Sequence, residues 1–319
     1  MKFEHTSLKY VKEAVYLAQI EYSAECKKCE GLEEKDYYNE FINRISQLFE
    51  GKYGLVAIED NRLVGYLSFW GGFEGQFGNV RGSFSPLFGS AFGGSNRGKI
   101  ASLLFEQVSK QMVQDKICSF AICKYAHDEE IAKSLVLNGF GIRCSDAIRR
   151  LTKPITIISD GEITYSEVSY NEIEALLNLR NKLTRHMNQS PIYFPLPEVT
   201  MEQLEKCFKD RESRFFIAKH GDKIIGYMEI IDDGETFISE TTDVQHICGA
   251  FFDEDYRGRG IAAGLLGYVI KVLHKEEVKY LGVDCETLNP TALRFWQKYF
   301  DNYTYSFVRR IDERILGWR

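Results

Sequence analysis

The stretch from 246 to 263, His-Ile-Cys-Gly-Ala-Phe-Phe-Asp-Glu-Asp-Tyr-Arg-Gly-Arg-Gly-Ile-Ala-Ala, decides how this chain is read. Ile247–Phe252 is an apolar run of strand type. A short acidic turn follows it, and then Arg257, Gly258, Arg259 and Gly260. From there Ala262, Leu265, Leu266, Val269, Ile270 and Leu273 recur at helical spacing, which predicts an amphipathic helix. Strand, glycine turn and helix in this order gather unpartnered N–H groups and the positive end of a helix at one point. Glycine lets an anion approach the backbone, and two guanidinium forks suit a pyrophosphate. On these residues alone the turn is either a phosphate-binding loop or a tight connection.

Two common nucleotide loops are set aside. No Gly-x-x-x-x-Gly-Lys-Ser/Thr occurs, and after Gly258-Arg259-Gly260 the third glycine of a Gly-x-Gly-x-x-Gly frame is replaced by Ala263. Alanine is sometimes accepted there, and the next predicted strand, Tyr280–Asp284, does end in an acid. It leads into Asn289-Pro290-Thr291-Ala292, however, and not into a second βαβ unit.

Arg257-Gly258-Arg259-Gly260-Ile261-Ala262 resembles the Gln/Arg-x-x-Gly-x-Gly/Ala signature of the GNAT N-acetyltransferase superfamily. The surroundings resemble it too: a strand before, a helix of about four turns after, then a strand, Asn289-x-x-Ala292 and a helix with Phe295-Trp296. The resemblance covers most of residues 161–319. It implies an α/β fold with a mixed sheet and acetyl-CoA as co-substrate. It also implies a pyrophosphate held by Arg257, Gly258, Arg259, Gly260, Ala262 and Ala263. A bulged, splayed strand is expected to offer a backbone N–H near Phe251 and Phe252 to the thioester oxygen, and Asn289 is expected near the pantetheine. Asn289 also reads as a plain helix cap before Pro290.

Composition bounds the rest. At 319 residues the chain is about twice an ordinary domain, so two cores are expected. With 44% hydrophobic and 27% charged residues it reads as globular. A net charge of −6 argues against a nucleic-acid partner. No apolar run is long enough to span a bilayer and no leader segment is evident, so a cytoplasmic protein without a membrane partner is expected. The oligomeric state, monomer or homodimer, is open. Cys26-Lys27-Lys28-Cys29 has no second Cys or His pair nearby and reads as a solvated helix end. No metal site is expected, and the remaining cysteines read as small core residues.

The chain reads as a duplication. Helices are predicted from Leu8 to Ala18 and from Tyr37 to Phe49. A hairpin of Tyr53–Glu59 and Leu63–Trp70 turns at Asp60-Asn61, and Arg214–Lys219 and Lys223–Ile231 repeat it at Gly221-Asp222. Gly65-Tyr66 aligns with Gly226-Tyr227, Leu103-Leu104 with Leu265-Leu266, and Ile148-Arg149-Arg150 with Val308-Arg309-Arg310. The expected domains are 1–153, a degenerate GNAT-like copy, and 161–319, the acetyl-CoA-binding copy, with a boundary near Lys153–Gly161. In the first copy Ser95-Asn96-Arg97-Gly98-Lys99-Ile100 is expected where Arg257–Ala262 stands in the second. Leu135 replaces Trp296, and Gly139-Phe140 keeps the usual ending. The Gly- and Phe-rich segment Trp70–Gly94 reads as a long irregular loop or as a cover over a site.

Acetyl transfer to an amine needs a proton acceptor and a polarised carbonyl. The expected base is His246, because an ordinary histidine titrates near 6.5; a backbone-bonded strand histidine is the equal alternative. Glu229, Glu240 and Asp243 stand behind it. The family's Tyr in the last helix is here Trp296, whose indole is no proton source. Tyr299, one turn on, is the expected acid if there is one, and core packing is its other reading. The acceptor site is expected along Arg180–Pro197. The expectation is an acyltransferase that acetylates a primary amine of a small molecule or peptide. A non-catalytic acyl-CoA sensor is the alternative, and a scaffold with neither activity a third.

Overall fold

The computed structural model describes residues 1–75, 78–155, 161–210 and 213–317. In chain order the first half carries β1 (Lys2–His5), α1 (Val11–Cys26), α2 (Tyr38–Phe49), β2 (Tyr53–Glu59), β3 (Arg62–Phe73), β4 (Arg81–Ser85), β5 (Ser90–Phe92), α3 (Arg97–Gln114), β6 (Ile117–Tyr125), α4 (Glu129–Leu137) and β7 (Gly141–Arg150). The second half follows the same plan with β8 (Ile163–Glu167), α5 (Ile173–Met187), α6 (Met201–Lys209), β9 (Arg214–His220), β10 (Lys223–Ile231), β11 (Val244–Phe252), α7 (Ile261–Lys275), β12 (Tyr280–Glu286), α8 (Pro290–Trp296) and β13 (Asp301–Arg310). Both predicted hairpins form. Asp60 and Asn61 take left-handed φ values of 49° and 60°, the geometry a two-residue hairpin turn requires.

Two compact units result, and their borders differ from the expected 1–153 and 161–319. One is Met1–Ser145 with the segment from Asn302 onward; the other is Asp146–Asp301. The expected boundary at Lys153–Gly161 lies partly outside the described residues. The chain's last strand belongs to the first unit, where β13 runs antiparallel to β6 from Thr304↔Tyr125 to Arg310↔Ser119. The cause is the burial of β6 at every position, since a buried strand edge must be hydrogen-bonded. The repeated Arg-Arg ends gain a meaning from this exchange. Arg309 stacks over Phe105 in the first unit, and Arg149 stacks over Phe300 in the second while donating to the Tyr299 carbonyl at 3.2 Å.

Trp70–Gly94, of which 76–77 lie outside the described residues, is not the irregular loop that its composition suggests. It carries β4, a short 3-10 turn over Leu87–Gly89, and β5. Arg-Gly-Ser-Phe-Ser lacks strand propensity, but it is held parallel to β6 up to the pair Ser85↔Ile122, so tertiary pairing decides. Nor are Cys26 and Cys29 a solvated helix end throughout: Cys26 closes α1 half-buried, and Cys29 is buried.

In the second unit the sheet has a distinct core on each face. Met228, Ile230, Ile247, Leu281, Val283 and Cys285 pack against Leu265, Leu266 and Val269 of α7. Phe215, Ile217, Tyr227 and Phe251 pack on the other face against Leu176 and Leu179 of α5 and Leu204 of α6. This division fixes which side chains of β10, β11 and β12 can reach which side of a ligand.

Candidate active site

The second unit's sheet opens between β11 and β12. β11 and β12 are paired in parallel from Val244↔Tyr280 to Ile247↔Val283, and the ladder stops there. On its other side β11 stays paired with β10 as far as Phe252, with a bulge at Cys248 where Glu229 faces Gly249 but Ile230 faces Ile247. Cys248–Phe252 therefore has one bonded edge and one open edge. The Asp253 N–H donates to Ile225 across the hairpin at 2.9 Å. By alternation the N–H and C=O of Phe252 point the other way, into the opening.

The glycine turn comes next to this edge. Gly258 and Gly260 sit at φ +76° and +81°, a region open to glycine at no steric cost, and a side-chain atom added at Gly258 would meet nothing within 4 Å. Gly260 caps α7 without a side-chain acceptor, and the first helical bond runs from the Gly264 N–H to the Gly260 carbonyl. Among the described residues the N–H groups of Gly258 through Ala263 meet no acceptor. Arg257 donates Nε to the Phe252 carbonyl at 2.9 Å and stacks over Phe251, which fixes it between the turn and the open edge. A row of N–H groups at a positive helix end with fixed guanidinium groups beside it suits the diphosphate of a coenzyme. Asn289, at the start of α8, accepts from the Ala292 N–H at 3.3 Å, so its oxygen serves as the cap.

The first unit has the same donors, and there the chain's own carboxylates fill them. Arg97 donates Nε to the Phe92 carbonyl at 2.7 Å, as Arg257 does to that of Phe252. Arg97, not Ser95, is thus the counterpart of Arg257, and α3 begins at Arg97 itself, with the left-handed Gly94 (φ +77°) before that residue and not after it. The Gly98 N–H donates to Glu130 at 2.8 Å, and the Phe92 N–H, counterpart of that of Phe252, donates to Glu21 at 2.9 Å. Lys124, 1% exposed, donates to Glu21 at 2.5 Å and to the Ser90 carbonyl at 3.0 Å, and Arg97 also pairs with Asp128. Carboxylates and an ammonium stand where a ligand's anionic and amide groups would go.

One hydroxyl differs between the units for a traceable reason. Tyr66 donates to the Phe88 carbonyl, in the 3-10 turn between β4 and β5, at 2.9 Å. β11 has a bulge at that place, so among the described residues the buried hydroxyl of its counterpart Tyr227 meets no partner, and burial pushes its pKa upward. Tyr66→Phe is expected to cost about 1 kcal/mol, while Tyr227→Phe is expected to leave stability unchanged or raise it. Denaturant midpoints of the two variants check this. A larger loss for Tyr227→Phe than for Tyr66→Phe contradicts it.

Residues 177–301 match the model of the Acetyltransferase (GNAT) family. That segment is a GNAT domain. No curated protein matches the chain. Among solved structures, a GCN5-related N-acetyltransferase from Sphaerobacter thermophilus is similar over 97% of this chain and 95% of its own, at 15% identity and a TM-score of 0.60. The two share a fold. A tandem GNAT protein from the clavulanic acid biosynthesis pathway is similar over 97% of this chain and 98% of its own, at 12% identity and a TM-score of 0.44.

On the GNAT domain's α5 face the structure brings two of the three expected catalytic residues together. The bulge at Cys248 shifts the alternation, so His246 and Gly249 share this face with Tyr227 and Glu229. Glu229 is buried and fully engaged: Arg180 lies 3.2 Å from one oxygen and Ser213 donates to the other at 2.8 Å. His246 has a side chain only 3% exposed, with Nε2 3.0 Å from Asp284 and Nδ1 buried and, among the described residues, without a partner. Tyr299 lies beyond α8 on the opposite face, packed beside Phe295, and Trp296 is core there. The alternates Glu240 and Asp243 sit in the connection before β11, where Asp243 accepts from Thr241 at 2.7 Å. Asp284 was not singled out as a catalytic residue by sequence reasoning. Its signal was present as a carboxylate on the strand entering the opening, and only the register gives its face.

The expected acceptor wall, Arg180–Pro197, is partly helical, since α5 continues to Met187. The remaining connection is tied by two amides. Asn188 exchanges bonds with Leu196 at 2.9 and 2.8 Å, and Asn181 exchanges bonds with Val199 at 3.0 and 2.8 Å. Among the described residues no group of three or more His, Cys, Asp or Glu side chains is placed to hold a metal ion, and no helix is long and apolar enough to cross a membrane.

Proposed function

We propose that the GNAT domain binds acetyl-CoA and transfers its acetyl group to a primary amine of a small molecule or peptide. The observation that carries the reading is the contrast between the units. Among the described residues the N–H groups of Phe252 and Gly258 meet no acceptor, while those of Phe92 and Gly98 are each bonded to a carboxylate of the chain.

Acetyl-CoA, when bound, supplies an acyl group activated as a thioester. The N–H groups of Gly258 through Ala263, with Arg257 and Arg259 beside them, hold its diphosphate. The open edge of β11 presents the Ala250 carbonyl and Phe252 N–H for an amide-bearing arm, much as a strand edge receives another strand. An N–H aimed at the thioester oxygen stabilises charge as it develops there, which in a dry site is worth about 3 kcal/mol. The α5 face, with Tyr227, Glu229 and His246, borders the acceptor. Arg180 neutralises Glu229, so that carboxylate positions and is not the free base.

Acetyl-CoA is expected to raise the melting temperature, and a panel of primary amines is expected to release free coenzyme A thiol. Binding without turnover across a broad panel, alkyl and aryl amines included, favours the sensor, which the buried Trp296 in the place of an acid also suits. An unmoved melting temperature at saturating acetyl-CoA sinks both readings.

A further inference from the structure

The acetyltransferase reading leaves the proton acceptor unassigned, and three groups on the α5 face compete for the part. Glu229 is occupied by Arg180 and Ser213. His246 is enclosed, and its one bonded nitrogen turns to Asp284. Asp284 differs from both. Its side chain is 33% exposed, and its second oxygen meets no partner among the described residues. The β11–β12 ladder ends at Ile247↔Val283, so Asp284 is the first residue of β12 inside the opening. Leu281, Val283 and Cys285 pack toward α7, which turns Asp284 to the α5 side.

We propose that Asp284 is the catalytic residue that receives the acceptor's proton, and that His246 is its positioning residue. The inference rests on the acetyltransferase reading. His246 is fixed by packing that leaves it no room to swing out: side-chain atoms added at Gly282 and Gly234 would approach Nδ1 to 2.7 and 3.0 Å. With Nε2 protonated it donates to one Asp284 oxygen and leaves the other to face the amine. The acceptor arrives as an alkylammonium, R–NH3+. Asp284 takes one proton and becomes a neutral carboxyl. The amine lone pair then forms the C–N bond to the acetyl carbon as the C–S bond breaks and the electron pair leaves on sulfur. The second amine proton leaves with the sulfur as thiol, and the carboxyl proton passes to solvent through its exposed edge.

Among the described residues Asp284 is bonded to His246 of β11, and the other titratable groups within its electrostatic reach are Cys248 of β11, Cys285 of β12 and Glu235 of the β10–β11 connection. None carries the fixed positive charge of a Lys or Arg. The sequence between Lys223 and Arg257 has neither, while Asp232, Asp233, Glu235, Glu240 and Asp243 lie in it, so the field there favours a cationic acceptor.

The test uses the full chain, acetyl-CoA and two probes, cadaverine and an aniline that is neutral at pH 7. Asp284→Asn is expected to lower kcat/KM for cadaverine about 100-fold at pH 7, within the range of general-base contributions. The deficit is expected to shrink as the pH approaches the amine's own pKa, and the affinity for acetyl-CoA is expected to stay unchanged. Asp284→Glu should restore part of the rate, and the aniline, which needs less help losing a proton, should be affected least. His246→Gln should shift the acidic limb of the pH profile without abolishing turnover. Wild-type kcat/KM in Asp284→Asn at pH 7, or an equal loss at every pH and for both probes, overturns the assignment while leaving the acetyltransferase intact. Absence of acetyl-CoA binding in the wild type overturns both.

Discussion

Gly260→Val is expected to abolish measurable acetyl-CoA binding while leaving the GNAT domain folded. Gly260 caps α7 at φ +81°, where a β-branched side chain is strained by about 1–3 kcal/mol. Its side chain would also stand at the start of α7, beside the N–H groups proposed to hold the diphosphate. Loss of that contact should weaken binding at least about 100-fold, equivalent to about 2.7 kcal/mol. Isothermal titration with acetyl-CoA reads the affinity, and unfolding midpoints read the strain. Gly221→Ala is the control. It sits at φ +57° in the hairpin turn between β9 and β10, with no atom within 4 Å of the added methyl, so it carries backbone strain alone and should bind normally. Equal affinities for wild type and Gly260→Val contradict the placement of the diphosphate.

Glu21→Ala is expected to cost the first unit about 3–5 kcal/mol, the penalty for stranding one partner of a buried ion pair. Among the described residues Lys124 would lose its only carboxylate partner while 1% exposed, Arg97 would lose one of two, and the Phe92 N–H its acceptor. Glu21→Leu combined with Lys124→Met removes both charges and should recover most of the loss, because a well-packed apolar pair avoids desolvation altogether. Denaturant unfolding with the two single and one double variant checks the sign. A loss below about 1 kcal/mol for Glu21→Ala contradicts the role given to the pair. Acetyl-CoA affinity should be the same in all three, since none of these residues belongs to the GNAT domain.

These experiments share one physical premise: backbone donors at an open strand edge and a helix start are satisfied by solvent that a ligand can displace, or by the chain itself. Copy one has taken the second course. Its sequence signs are Glu21, Lys124 and Glu130, which lie far apart along the chain and resemble surface charges until the fold brings them to Phe92 and Gly98. Alignment through Ser95 obscured this, because the left-handed Gly94 lies before Arg97 whereas Gly258 and Gly260 lie after Arg257, and the spacing between units changes across the Leu87–Gly89 turn.

Much was legible in the sequence because it rests on local chemistry. The turn at Arg257–Gly260 is written in glycines that take positive φ and in the apolar period of α7, and the hairpins at Asp60-Asn61 and Gly221-Asp222 in residues that tolerate left-handed backbone. Asn289 before Pro290 announced a cap, and a cap it is. Strand β4 was not legible, since Gly, Ser and Arg gain strand conformation only from the partner they pair with. The unit that β13 joins was equally hidden, because strand pairing is a choice among distant edges that no local pattern records. The face to which His246, Glu229 and Asp284 turn was the last thing decided. A single bulge at Cys248 shifts the two-residue alternation of β11, and with it which side chains meet across the opening. Local sequence therefore determined the elements and the glycine turn, whereas strand partners and the faces of catalytic candidates were set by long-range hydrogen bonding and burial, which exist only once the chain has folded.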